Sequence, residues 1–327
     1  MSFTRYNTDD SVVSAETVVR GLWSGDNYTL NSFFTSSNYT EYYVDIYDSN
    51  FNTSISSSVQ FSLQFGNING SGSAPINPSV VGYSPSRVVY GQYRNLVYGT
   101  ETTNFSFDGG STTSNSIYVV NIARARYKES LLPGSLNLTL TGASGSFKYT
   151  DDSGTTNLTR FIGENRYFNI ISGSDGSYYT SGTPSKYYGL FFPDLDIIVF
   201  DANALTGSMT PGIAYSTSTS TVYNNLNLWR AMQSGSSNFQ MKSSETVSAR
   251  YFFTRVKNNE YNYTTNPSII DANGNLLYTT LVNNPQTYVT TVGMYNDNNE
   301  LLAVAKLSKP LVKDFTKEAL IRVKLDY

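Results

Sequence analysis

The chain reads as a mainly β, α+β protein of antiparallel sheets, with an inserted all-β subdomain, sandwich- or barrel-like, and two or three short helices. Three observations predict this. Ser57–Phe65, Glu245–Val256 and Ile321–Tyr327 alternate apolar and polar residues with the period of two that a half-buried strand requires. Clusters of Gly, Ser, Asn and Asp, residues that stabilise turns, separate such stretches. Helix start and stop signals are confined to a few places.

Taken in order, residues 12–20 carry four valines and an early Glu16 suited to a helix N-terminus, and are read as a short helix stopped at Gly21. Leu22 and Trp23 follow as anchors, either into the chain's own core or onto a neighbouring subunit. Tyr39–Tyr47 and Ser57–Phe65 alternate as strands. The glycine-rich 66–73 loop lacks the following lysine and helix of a phosphate-binding loop. Ser84-Pro85 is the strongest helix start in the chain, serine at the N-cap and proline at the first helical position. Val88, Val89, Leu96 and Val97 give that helix an apolar side, with Tyr90 and Tyr93 beside it. Arg87 and Arg94 lie seven residues apart and share a face, either a solvated, salt-bridged one or one suited to a sulfate or a sugar.

Ile117–Tyr127 reads as a longer strand carrying Arg124 and Arg126 on one side. Pro133-Gly134 then changes the texture. From residue 135 to 205 the sequence predicts short strands between Gly, Ser and Asp turns, with Ile197–Phe200 apolar enough to be buried on both faces. Residues 222–233 predict a helix with Leu226, Trp229 and Gln233 in register, capped at Ser234-Gly235. Glu245–Val256 is the longest alternating stretch, and Asp271–Asn275 is a turn. Val289–Tyr295 and Leu301–Leu307 form a hairpin about the polar 296–300 turn, with Ser308-Lys309-Pro310 expected to break it. The final strand carries Ile321, Val323, Leu325 and Tyr327 inward. Three parts result: residues 1–134 as an N-terminal arm and α+β body, 135–205 as the insert, and 206–327 as a helix plus the C-terminal sheet completing the body. No short-period repeat supports a solenoid or a fibre.

Composition narrows the chemistry. With neither cysteine nor histidine, disulfides, cysteine nucleophiles, Ser-His-Asp triads and zinc sites built on those residues are excluded. A net charge of −3 on a chain with only 14% charged residues argues against nucleic acid and against an anionic membrane surface. No apolar run approaches the roughly eighteen residues of a membrane span, and no secretory leader opens the chain. Synthesis in a cytoplasm is therefore expected, and the Asn-x-Ser/Thr matches are incidental. The 27 tyrosines either line interfaces, whose cores favour Tyr over charge, or serve the strands that tyrosine prefers.

The run 275–278 and 288–310, beginning Asn275-Leu-Leu-Tyr and continuing Tyr288-Val-Thr-Thr-Val-Gly-Met-Tyr, resembles a segment of virion structural proteins from T-even-like, contractile-tailed bacteriophages, including marine cyanophages. Val19–Ser24, Ser84–Tyr98 and Ala125–Ser135 are similar too, so the resemblance touches both ends and much of the length. It implies a tail or baseplate component, made in the host cytoplasm and located in the virion. Its partners would be other tail and baseplate proteins, in homo- and hetero-oligomers. It carries no catalytic motif.

The expected function is therefore structural, without cofactor or metal. Leu22, Trp23, Ile321, Val323, Leu325 and Tyr327 are the candidate interface residues. An alternative is a carbohydrate- or receptor-binding module in which exposed Tyr178, Tyr179, Tyr187 and Tyr188 of the insert stack on host-surface sugars. A third reading, a polysaccharide-degrading enzyme, would use a carboxylate pair from Asp194, Asp196 and Asp201, with Glu164 nearby. Asp194 and Asp196 would share a face of the Ile197–Phe200 strand, although Asp at strand ends is commonly a turn residue. Asp151-Asp152 and Asp297–Glu300 offer oxygen ligands without the spacing of a calcium loop, so turn chemistry is the plainer account.

Overall fold

The computed structural model describes residues 5–35, 43–73, 84–107, 112–155, 159–178, 186–207, 210–218, 223–234, 238–263 and 266–326. The fold is mainly β, with antiparallel sheets, one of them large and curled like half a barrel, and, among the described residues, three short helices. The chain divides into two units, residues 17–245 and residues 1–16 with 246–327. These boundaries fall inside the strands Ser11–Gly21 and Lys242–Val256, not at 134/135 and 205/206.

The 17–245 unit is built on a 13-stranded sheet. Its main path runs Thr29–Leu30, Phe239–Gln240, Asn137–Gly142, Gly145–Asp151, Asn165–Ser174, Gly189–Phe192, Ile197–Asp201, Ser116–Ile122, Val59–Asn67, Tyr43–Tyr47 and Phe34–Thr35. The described residues between 135 and 205 form strands and turns without a helix. Their strands continue the sheet begun by Val59–Asn67 and Ser116–Ile122, because Ile197–Asp201 pairs antiparallel with Ser116–Ile122 from Ile197↔Asn121 to Asp201↔Ile117. Alternate residues of this central pair face opposite cores. Ile117, Val119, Ile197 and Val199 join Val89, Tyr90, Tyr93 and Val97 of α1 (Pro85–Tyr98). Tyr118, Val120, Ile198 and Phe200 join Trp23, Phe61 and Phe239, together with Leu226 and Met232 of α2 (Asn224–Gln233). The strand Ile197–Asp201 is thus covered on both faces, as its unbroken apolar run requires.

Helix α1 begins at Pro85 and ends at Gly99, whose φ of 66° and amide bond to Asn95 O turn the chain back. Ser84 stands at the N-cap but makes no capping bond; its hydroxyl is drawn to Gly70 O instead. Val88 and Leu96, expected on the apolar side, are exposed. Helix α2 is anchored by Trp229 Nε1, which donates to Phe33 O at 2.9 Å, and ends at Ser234, whose hydroxyl donates to Arg230 O. Gly235, the other half of the expected cap, lies outside the described residues.

In the second unit Lys242–Val256 pairs antiparallel with Ala319–Asp326, from Ala249↔Asp326 to Val256↔Ala319. Thr287–Tyr295 and Leu301–Lys313 form a separate two-stranded hairpin, and α3 is the single turn Thr280–Asn283.

Three local expectations are corrected. Residues 12–20 belong to the strand Ser11–Gly21, not a helix. Their β-branched valines and threonine favour a pleated surface. Glu16, read as a helix-start residue, instead accepts from Tyr251 Oη at 2.7 Å and pairs with Lys324 Nζ at 3.1 Å, which holds its carboxyl below the ordinary range. Arg124–Arg126 form a 3₁₀ turn after the strand ends at Ile122. Finally, Pro310 does not end the hairpin. The register jumps from Thr291↔Lys306 to Val289↔Leu311, so Leu307–Pro310 bulge out where proline owes no ladder bond, and pairing resumes to Lys313.

The core assignment of Trp23 is testable. Its ring lies 4.8 Å from that of Phe239 and 5.8 Å from that of Phe61, and Nε1 donates to Phe239 O at 2.8 Å. Trp23→Ala should lower the unfolding free energy by about 3–5 kcal/mol in denaturant titrations. Val304→Ser, on an exposed strand face, should change it by less than about 0.5 kcal/mol.

Candidate functional site

The unusual surface belongs to the unit made of residues 1–16 and 246–327. Among its described residues the buried hydrophobics are Ala249, Val256, Met294 and Val323 alone. Exposed large apolar side chains are many, and they gather on the hairpin and the segment before it. Leu302 is 67% exposed, Val304 58% and Tyr288 61%, with Tyr295, Leu301, Tyr278 and Val282 exposed as well. Strand alternation accounts for the hairpin's share. Ala303, Ala305 and Leu307 point to its half-buried side with Val292 and Met294, while Leu302 and Val304 stand on the other.

Polar chemistry holds this hairpin in shape. Asn296 Oδ1 accepts the amides of Asn298 and Glu300 at 3.0 and 2.8 Å, and Glu300 Oε2 accepts from Asn296 Nδ2 at 2.6 Å, so the tip is self-contained. At the base, Lys313 is fully buried, and its ammonium donates to Asn258 O, Asn262 Oδ1 and Asp314 O at 3.0, 2.7 and 2.9 Å. All three donors of the lysine are satisfied by neutral oxygens.

The sequence-chosen interface residues divide. Leu22 and Trp23 are 1% and 2% exposed inside their own unit, so they are core and offer nothing to a neighbour. Val323 is buried, and Ile321 and Leu325 are half-buried, in a strand that pairs with the chain's own Lys242–Val256 along one edge. That strand ends its sheet, so its other edge has no partner among the described residues. Tyr327 lies outside the described residues. The hairpin residues Leu302 and Val304 are not among the sequence-chosen ones: Leu301-Leu-Ala-Val-Ala305 is apolar at every position, which marks a strand without telling which face is covered.

The proposed sugar platform is not assembled from all four tyrosines. Tyr178 and Tyr187 are half-buried. Tyr188, expected exposed, is buried edge-to-face against Tyr149 at 4.8 Å, with Lys186 Nζ 5.4 Å from its ring centre. Tyr179 lies outside the described residues.

The carboxylates are placed by turns. Asp194 and Asp196 sit in the Pro193–Asp196 connection between two strands, not on a strand face. Arg166 grips Asp194 through two bonds of 2.8 and 3.2 Å. Asp201 is buried and accepts the Asn203 amide, and Glu164 is exposed in the turn before Asn165–Ser174. Asp151 accepts the Gly134 and Ser153 amides, burial nevertheless raising its carboxyl, and Asp152 is paired with Arg160 at 2.8 Å. These oxygens are taken by turn amides and guanidinium. The same holds in the 297–300 turn for Glu300, which accepts from Asn296.

Asp196 is the exception. It is 4% exposed, its φ of 58° is one that Asp tolerates, and its Oδ1 has no hydrogen-bond partner. Burial pushes its carboxyl up to about 6, against the pull of the Tyr127 hydroxyl and the Arg124 charge. The folded state therefore holds this proton more tightly than the unfolded chain, and stability present below about pH 4 is lost as pH rises through 6. Asp196→Asn should raise the unfolding free energy at pH 7 by roughly 1–3 kcal/mol and flatten its pH dependence between 4 and 6, as read by denaturant titration at each pH. Compared with protein-family models, with curated proteins and with solved structures, the chain finds no match.

Proposed function

We propose that this chain is a structural protein of a contractile-tailed phage virion, in the tail or baseplate, acting by subunit–subunit assembly. The observation that carries the reading is the unit of residues 1–16 and 246–327, whose described part buries four hydrophobic side chains and exposes many more. Ordering a residue costs on the order of 1–2 kcal/mol of backbone entropy. A core this thin offsets little of that, and a lone two-stranded hairpin is marginal in water. A partner that covers the Leu302 and Val304 face supplies the missing burial. Permanent interfaces of this kind exceed roughly 2,000 Å² and resemble a domain core cut in two. The resemblance of residues 275–278 and 288–310 to tail proteins falls on the same hairpin and the segment before it. The partners on this reading are other tail or baseplate proteins, in homo- and hetero-oligomers, and the location is the virion.

The second reading, a receptor-binding module, keeps Tyr178 and Tyr187 as half-buried rings but loses Tyr188 to the core. The enzymatic reading finds no support in Asp194, which Arg166 already holds.

Two measurements test the assembly reading. In hydrogen exchange on the isolated chain, amides of Thr287–Tyr295 and Ala319–Asp326 should exchange far faster than those of Ser116–Ile122, and become protected in particles. Leu302→Asp combined with Val304→Asp should leave the melting of the 17–245 unit unchanged while incorporation into virions, read by quantitative mass spectrometry, drops about tenfold or more. Incorporation at the wild-type level would sink the proposal.

A further inference from the structure

One groove in the 17–245 unit is left unexplained by assembly through the hairpin. It encloses about 650 Å³ between the outer face of α1 and the segment that follows it. Arg87, Gly91, Arg94 and Asn95 recur along one side of the helix, and Glu101, Thr102 and Asn104 form the facing wall. That wall is fixed in advance. Tyr90 Oη donates to Ser114 O at 2.8 Å and accepts from Phe105 N at 3.0 Å, while Ser106 N donates to Tyr98 Oη at 3.2 Å.

Arg87 is exposed and Arg94 half-buried in this groove. Among the described residues neither Arg87 nor Arg94 has a carboxylate within salt-bridge distance. Arg94 Nε is buried without a hydrogen-bond partner, and its guanidinium stands 5.7 Å over the Tyr90 ring. The glycine at the floor is the second observation. Gly91 lies mid-helix, where glycine is destabilising relative to alanine, and a Cβ there would meet nothing within 4 Å. Packing does not ask for glycine at this position, and a larger side chain there would project into the open space of the groove.

We propose that this groove binds an acidic oligosaccharide. Arg87 and Arg94 are two helical turns apart, about 10 Å along the axis, so a ligand using both carries anionic groups at intervals along its length. Guanidinium forks pair with carboxylates in two parallel bonds. Gln92, Asn95, Thr102 and Asn104 supply donors and acceptors for hydroxyls, and Ile68 and Val88 the apolar contact. An acidic peptide fits less well, since the walls offer side-chain amides and no open strand edge. Glu101 on the facing wall repels anionic groups, so those of the ligand lie on the helix side, toward Arg87 and Arg94. This inference does not depend on the assembly reading.

Calorimetric titration of the full chain with trigalacturonate tests it. Saturable binding is expected, weakened about tenfold or more by Arg94→Gln. Gly91→Leu should block the groove, while Gly91→Ala should raise the melting temperature and weaken binding. Circular dichroism melts of each variant separate loss of the site from loss of the fold. Four results overturn the proposal: no saturable binding, affinity for maltotriose equal to that for trigalacturonate, affinity unchanged in both Arg94→Gln and Gly91→Leu, or equally tight binding of triglutamate or inorganic sulfate.

Discussion

The 17–245 unit depends on covering the Ser116–Ile122 and Ile197–Asp201 strands from both sides. Every residue of Ile197–Asp201 is buried, and so is all of Ser116–Ile122 except Asn121. A sheet centre this apolar is stable only where each face meets another apolar layer. On one face α1 supplies it, pressed so close that a Cβ on Gly66 would stand 3.0 Å from the Tyr90 backbone. On the other the sheet curls over, and Trp23, Phe61, Phe239 and α2 fill the space. The position of α1 also sets the groove beside Gly91, because the face of the helix turned from the sheet is one wall of it.

Burying that much chain brings polar groups inside, and most are settled by short-range bonds. Asp151 takes amides of its own turn and of Gly134, and Asp152 takes Arg160 and the Asn169 amide. Among the described residues Asp196 is the buried carboxylate with an oxygen left unpaired, and burial is the main cause of its raised pKa.

What could be read in advance follows from which interactions are local. The alternation of Ile321–Leu325, the Ser84-Pro85 helix start and the 296–300 turn were legible because each depends on a few neighbouring residues. Residues 12–20 misled because Glu16 fits a helix N-terminus locally, whereas its partners Tyr251 and Lys324 are more than 230 residues away in sequence. Pro310 misled because a bulge excuses a proline from the ladder, and a bulge is a property of two strands. The boundary at 134/135 followed texture, and texture does not record that residues 197–201 pair with 117–121. Of the candidate site, the hairpin was legible but its exposure was not. Leu301-Leu-Ala-Val-Ala305 reads equally well as a strand buried in its own chain.

That ambiguity carries the last step of the argument. Where an apolar strand pairs only into a two-stranded ribbon, both its faces and its outer edge need cover, and the ribbon provides one layer at most. The polar devices nearby show that this hairpin is not simply loose chain. Its tip is closed by Asn296 and its base is pinned by Lys313, each with its bonds fully made inside the unit. The shape is specified by interactions that need no partner, while the apolar face is left unburied. On the assembly reading the two facts belong together. A hairpin whose tip and base are already tied has less freedom left to lose on docking than an untied arm would, so more of the energy from burying Leu302 and Val304 remains to hold the subunits together.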